Sequence, residues 1–210
     1  MEVLGNPSFK KSSELDDKSL KKEYKRLEKL METNSIAIDF LRERDDRFKY
    51  AFITEELFSH EGGTGFPGMT MHYIYEEFHP DHEMDIQKRT DDFMRDWFRR
   101  EFNEYSIELD REFVLPNRKI LSREDTIKKM QTVFDCFTEF KNEQIAIREI
   151  KFELYDESES GMGHSEGAVR YDAVMESGEV VHFEGPFKLY MSYRFGGWSI
   201  CYFVFPGFEW

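Results

Sequence analysis

The sequence predicts an α+β fold: an N-terminal helical extension, two further helices flanking a hairpin, and an antiparallel sheet that completes the chain. Three observations predict it. Apolar residues recur at helical spacing in three stretches up to Phe137, only strand patterns follow Gln144, and Gly-containing turns separate those strands. Strands gathered after helices, rather than alternating with them, place the helices on one face of an antiparallel sheet.

The first helix rests on Leu20, Tyr24, Leu27 and Met31, continued by Ile38 and Leu41 with Asn34 in the gap. Alternating four- and three-residue steps over three heptads describe an amphipathic helix or a short coiled coil. A hydroxyl of Ser12 or Ser13 would cap it, and Thr33-Asn34-Ser35 marks a weak point where two helices meet. His60–Thr70 holds four glycines and a proline and reads as a loop, which sets a domain boundary at about residue 70. Residues 1–70 then form a helical arm with its Gly-rich loop, and residues 71–210 form the main α+β domain.

In the main domain, Ile86, Thr90, Phe93, Met94, Trp97, Phe98 and Phe102 line one face of a helix over Asp85–Phe102. Phe113–Leu121 is a hairpin turning at Pro116-Asn117. Ser122 caps the next helix, whose first turn carries Glu124 and Asp125 and whose buried face is Ile127, Met130, Val133, Phe134 and Phe137. Strands follow at Ile147–Tyr155, Ala168–Met175, Glu179–Arg194 and Trp198–Phe205. Between the second and third of these, Glu176-Ser177-Gly178 fits a three-residue hairpin loop with Gly178 left-handed, which pairs Met175 with Glu179. That register sets Arg170 opposite Glu184, Asp172 opposite His182 and Val174 opposite Val180 on one face. Tyr171 opposite Phe183 and Ala173 opposite Val181 make the other face apolar. The last hairpin, at Phe195-Gly196-Gly197, admits two registers.

Residues 83–207 resemble the nuclear transport factor 2-like (SnoaL-like) superfamily. The resemblance is carried by Asp91-Asp92-Phe93 and Trp97-Phe98 of the opening helix and by the Arg118–Glu124 hairpin leading into the second helix. The last two strands with Gly196-Gly197-Trp198-Ser199-Ile200 complete it. It implies a curved sheet wrapped around helices as a cone with a pocket at its open end. Its members include isomerases, cyclases, dehydratases, ligand binders without catalysis and dimeric interaction modules.

Candidate chemistry follows from residue types. Asp172 facing His182 is a carboxylate orienting an imidazole, a general-base arrangement near neutral pH, set against the plainer reading of a solvent-facing ladder of ion pairs. Tyr171, Tyr190, Trp198 and Tyr202 offer hydrogen-bond donors and stacking surface to a ligand, or serve as core aromatics. Asp96, four residues from Asp92 on one helix face, adds a carboxylate beside Arg89, Arg95, Arg99 and Arg100. No carboxylate of the Phe113–Leu121 hairpin completes a ketosteroid-isomerase-like set. His79-Pro80-Asp81-His82 lacks the helical spacing of a metalloprotease, and no metal or cofactor is expected. Gly63–Gly68 matches a dinucleotide fingerprint without its strand and helix. Asp156–Gly161 opens like a calcium loop, but Gly167 stands where the closing Glu belongs. Cys136, between Phe134 and Phe137, reads as a buried thiol.

Composition limits the partners. The 210 residues carry 43 acids against 29 bases, a net charge of −14, which opposes a phosphate backbone and excludes nucleic acid. The acid excess is uneven: 12 bases and 14 acids before residue 71, 17 and 29 after it. No apolar run spans a bilayer, the first thirty residues lack a signal-like core, and two cysteines suit a reducing compartment, so no membrane is expected and the location is cytoplasmic. Two functions follow. One is binding of a small apolar or aromatic molecule in the cone, with isomerase-, cyclase- or dehydratase-type acid–base chemistry. The other is a non-catalytic acidic interaction module with a basic protein partner or a second copy of the chain as homodimer.

Overall fold

The computed structural model describes residues 9–57, 69–155 and 160–210. The chain divides into two compact units, Met1–Pro80 and Asp81–Trp210. Among the described residues no helix is long and apolar enough to cross a membrane.

In the first unit α1 runs Asp17–Thr33, and its cap is Asp16, whose carboxylate accepts from the Ser19 amide at 2.7 Å. Ser12 and Ser13 instead lie in a short 3-10 turn, Ser12–Glu14. The heptad pattern ends one turn early, because Ser35 takes a left-handed φ of 55° and reverses the chain. Ile38 therefore belongs to a strand, β1 (Ile36–Asp39), paired in parallel with β2 (Met71–Ile74), and Leu41 is exposed. Helix α2 (Asp46–Ala51) continues into a π-helical run, Phe52–Glu56, and α3 (Tyr75–Phe78) follows β2. Leu20 and Leu27 share a small core with Tyr50, Phe52 and Ile53. The β1–β2 pairing draws residues 71–80 into this unit, so the division falls at Pro80, where the Gly-rich loop suggested residue 70. The greater part of that loop, with Gly63–Gly68, lies outside the described residues, as do residues 156–159 of the calcium-like turn.

The second unit opens with α4 (His82–Arg99), capped by Asp81 through the Met84 amide and closed by Arg100 in the left-handed region at φ 58°. Ile86, Thr90, Phe93, Met94 and Trp97 are its buried residues, the face that the spacing marks out. β3 (Glu112–Val114) and β4 (Ile120–Ser122) form the expected hairpin. Ser122 caps α5 (Arg123–Phe134) by accepting from the Asp125 amide at 3.1 Å. Among the described residues four long antiparallel strands follow in the order β5 (Glu139–Leu154), β6 (Ser160–Val174), β7 (Val180–Arg194) and β8 (Gly197–Val204). This is the α+β architecture that the sequence predicts, with β5 and β6 each starting eight residues earlier than expected because polar and glycine residues there still pair. The β6–β7 register is the one read from the Glu176-Ser177-Gly178 turn, from Val174 opposite Val180 to Arg170 opposite Glu184. The last hairpin resolves to Arg194 opposite Gly197, with Phe195 and Gly196 both at positive φ. Two successive left-handed residues give the tight turn that matches strand twist.

Bulges curve the sheet. The register shifts at Lys141/Gln144 and Ile147/Glu149 in β5 and between Tyr190 and Met191 against β8. The inner face meets α4 and α5 through Tyr171, Phe187, Leu189, Met191, Phe203 and Phe205, all buried with Phe93, Trp97 and Phe134 in one core. Trp97 packs its ring 4.5 Å from Phe205 and 5.1 Å from Phe134. Each such large apolar side chain contributes about 1.5–3 kcal/mol by leaving water.

Candidate functional site

Strand alternation sorts the chemistry-bearing residues by face. On the inner face, Tyr171 is buried and its hydroxyl donates to the Pro206 carbonyl at 2.7 Å, with burial pushing its pKa well up. Trp198 is also buried, and its Nε1 donates to His82 Nδ1 at 3.2 Å within a ring cluster that includes Tyr193 and Phe152. Thr90 and Ser165, both fully buried, share a hydrogen bond of 2.6 Å between α4 and β6. Aromatic rings fill this side of the sheet.

The outer face carries the polar residues. At one end Asp172 Oδ1 lies 2.6 Å from His182 Nδ1, and Asn142 Nδ2 donates to Asp172 Oδ2 at 2.7 Å. The amide of Asn142 and the His182 ring hold the Asp172 carboxyl below its usual range. His182 is open to solvent, its side chain 77% exposed. Next along the strands, an open concavity of about 670 Å³ lies over Ala146, Ala168 and Pro186, edged by Arg148, Arg170 and Glu184.

Midway, Glu149, His164 and Glu166 converge. His164 Nε2 stands 3.8 Å from a carboxylate oxygen of each glutamate. Lys188 donates to Glu166 Oε2 at 2.5 Å and lies over the Tyr190 ring, while Lys151 pairs with Glu149 at 2.7 Å. The Lys188 bond keeps Glu166 below its usual pKa, and burial, then Lys188, does the same for His164.

Beyond them a groove of about 380 Å³ lies where β7, β8 and the Asp110–Val114 segment meet. Tyr190 and Tyr202 face each other in it, ring centroids 5.7 Å apart, next to Met162, Val114 and Arg194. Ser192 Oγ donates to Asp110 Oδ2 at 2.5 Å in its wall. Cys201 also lines it, and burial pushes its thiol up to about 11, which makes it a poor nucleophile.

The structure thus brings Tyr190 and Tyr202 together and leaves Asp172–His182 on the same face but elsewhere, with Tyr171 and Trp198 on the opposite face. Asp96 accepts from Arg95 Nε at 2.9 Å, and Arg95 also binds Asp92, so these carboxylates have a guanidinium between them. Asp110, Ser192 and Met162 of the groove, and Glu149, His164 and Glu166, were not singled out by sequence. The pairing of β5 with β6, obscured by two bulges, is the signal that joins the latter three. In the His79-Pro80-Asp81-His82 segment, His79 binds Glu56 at 2.6 Å and His82 accepts from Trp198. Cys136 is exposed rather than buried, because α5 ends at Phe134 and turns the thiol outward.

No family model matches the chain, and no curated protein matches it. Solved structures do resemble it. A ketosteroid isomerase-like protein from Erwinia carotovora atroseptica is 11% identical, covers 59% of this chain and 94% of its own, and has a TM-score of 0.44. An NTF2-like protein from Cytophaga hutchinsonii is 9% identical over 56% of this chain and 91% of its own, TM-score 0.35. An NTF2-like protein of unknown function from an Exiguobacterium species is 15% identical over 56% of this chain and 97% of its own, TM-score 0.32. The likeness is one of fold.

Proposed function

We propose that the Asp81–Trp210 unit is a binding domain whose ligand, a small molecule with a flat aromatic part, lies on the outer face of the sheet over Tyr190 and Tyr202. The observation that carries this reading is the pair of tyrosine rings, 5.7 Å apart, in a groove of about 380 Å³. Pockets of this size with an apolar floor and a few fixed polar groups are the usual form of small-molecule sites. The rings supply stacking surface, and Asp110, Ser192 and Arg194 supply polar contacts at the wall. The reading is binding rather than acid–base catalysis. His182 lies eight residues from Tyr190 on β7, about 26 Å along a strand, and cannot reach a ligand held there.

A panel of aromatic compounds screened by thermal shift tests it. Hits should lose at least tenfold in affinity in Tyr190→Ala and Tyr202→Ala and keep it in His182→Ala. Hits indifferent to both tyrosines, or a panel without hits, would sink the reading.

The acidic interaction module is the second reading, favoured by the 29 acids against 17 bases after residue 70. It predicts association with a basic protein such as cytochrome c that fails in high salt. Light scattering in the same buffers separates that outcome from a homodimer.

A further inference from the structure

We propose that Glu149, His164 and Glu166 form a divalent-metal site on the outer face of the sheet, of the ligand class that takes zinc. It stands independently of the tyrosine groove. The site is built by strand pairing: Glu149 sits opposite Glu166, and His164 opposite Lys151, so one imidazole and two carboxylates from adjacent strands point into the same space. Their ligand atoms all lie within 4.8 Å of one another, and among the described residues no other three His, Cys, Asp or Glu side chains do so.

His164 is the decisive member. Its Nε2 is shielded from solvent and has no hydrogen-bond partner, although it stands 3.8 Å from a carboxylate oxygen on each side. A buried ring nitrogen without a partner is costly and calls for an explanation. A zinc ion with bonds of about 2.1 Å places neighbouring ligand atoms about 3.4 Å apart, so each carboxylate would close by about 0.4 Å on the His164 nitrogen and the two carboxylates would also draw together from their separation within 4.8 Å. Three protein ligands leave a fourth position open toward the solvent side. Nitrogen with two carboxylate oxygens selects a borderline ion over magnesium or calcium, which prefer oxygen alone. Lys188 and Lys151 each hold one of the glutamates, and a bound ion would compete with their ammonium groups. That competition makes a specific demand: removing Lys188 should strengthen binding.

Titration calorimetry of the full chain, freed of metal by chelator, tests this with zinc chloride alone. One equivalent should bind, at least about tenfold more weakly in His164→Ala. Glu149→Gln, on the edge strand β5, should weaken it similarly without removing a half-buried ring, which keeps the test valid if His164→Ala fails to fold. Lys188→Met should bind more tightly, and His182→Ala should match the parent. Cobalt added in place of zinc should broaden the His164 ring signals before those of the other histidines. Binding unchanged in both ligand variants, broadening centred on another histidine, or equal competition by magnesium would overturn the site.

Discussion

Asp172 and His182 stand opposite each other across β6 and β7, joined at 2.6 Å, and both turn away from the aromatic core that their neighbours Tyr171 and Phe183 enter. The pair is therefore an exposed cross-strand contact. Its carboxylate is held below the usual range by Asn142 and His182. A carboxyl whose pKa is lower in the folded chain stabilises that state above its unfolded pKa, and the gain disappears as pH falls through the folded value. Asp172→Asn should lower the thermal midpoint slightly at neutral pH, and the gap should close on acidification. A gap that is constant with pH would show that packing, not charge, links the two residues.

The pairing of these two residues is legible in sequence because one turn, Glu176-Ser177-Gly178, fixes the register of both strands. The helix faces are legible for a similar reason, since each rests on a local period; of the caps only Ser122 of α5 is legible, α1 taking Asp16 in place of Ser12 or Ser13. What local pattern does not reveal is parity across a bulge. Trp198, Ile200 and Tyr202 share parity in β8, yet Trp198 and Ile200 are buried while Tyr202 pairs with Tyr190 on the outer face. The register shift opposite Tyr190/Met191 reverses the alternation, so candidates of one apparent stripe divide between two faces. The same effect in β5 conceals the meeting of Glu149 with His164. In the first unit, Ile38 keeps the heptad spacing of α1 while serving a strand, because a parallel partner 35 residues later, Met71–Ile74, outweighs the local period.

Gly167 provides a test of close strand packing. A Cβ there would sit 2.1 Å from the Ala146 carbonyl oxygen and 2.8 Å from Phe187. Backbone cannot yield as a side chain can, so Gly167→Ala should lower stability by about 1–3 kcal/mol. Gly185→Ala, whose Cβ meets nothing nearer than Pro206 at 3.4 Å, should cost far less. Urea unfolding of the two variants decides it, and equal midpoints would contradict the β5–β6 approach described above.

Trp97 fills the inner side of the sheet, fully buried among Phe93, Phe134, Phe203 and Phe205. Trp97→Ala should cost about 3–5 kcal/mol. The space it leaves is lined by apolar rings, and apolar cavities of that kind bind small aromatic molecules. Indole should therefore raise the thermal midpoint of this variant by clearly more than it raises that of the parent. Indole stabilising both equally would mean that it binds elsewhere, the tyrosine groove included.

Glu108 carries the last prediction. It is 3% exposed in the segment before β3, and its Oε1 is buried without a hydrogen-bond partner. Burial raises its pKa, and the nearby charges of Asp96 and Asp92 push in the same direction, against the lowering effect of its own amide and Ser106. An acid with a raised folded pKa costs the folded state nothing while protonated. As pH climbs past the unfolded value, the unfolded chain releases its proton first, and folding loses stability. Glu108→Gln keeps the shape and removes the charge. The variant should melt above the parent at a pH of about 8, with the difference shrinking toward a pH of about 4, where a free glutamate is itself half protonated. A variant less stable than the parent throughout would mean that the carboxylate is needed as an acceptor where it stands.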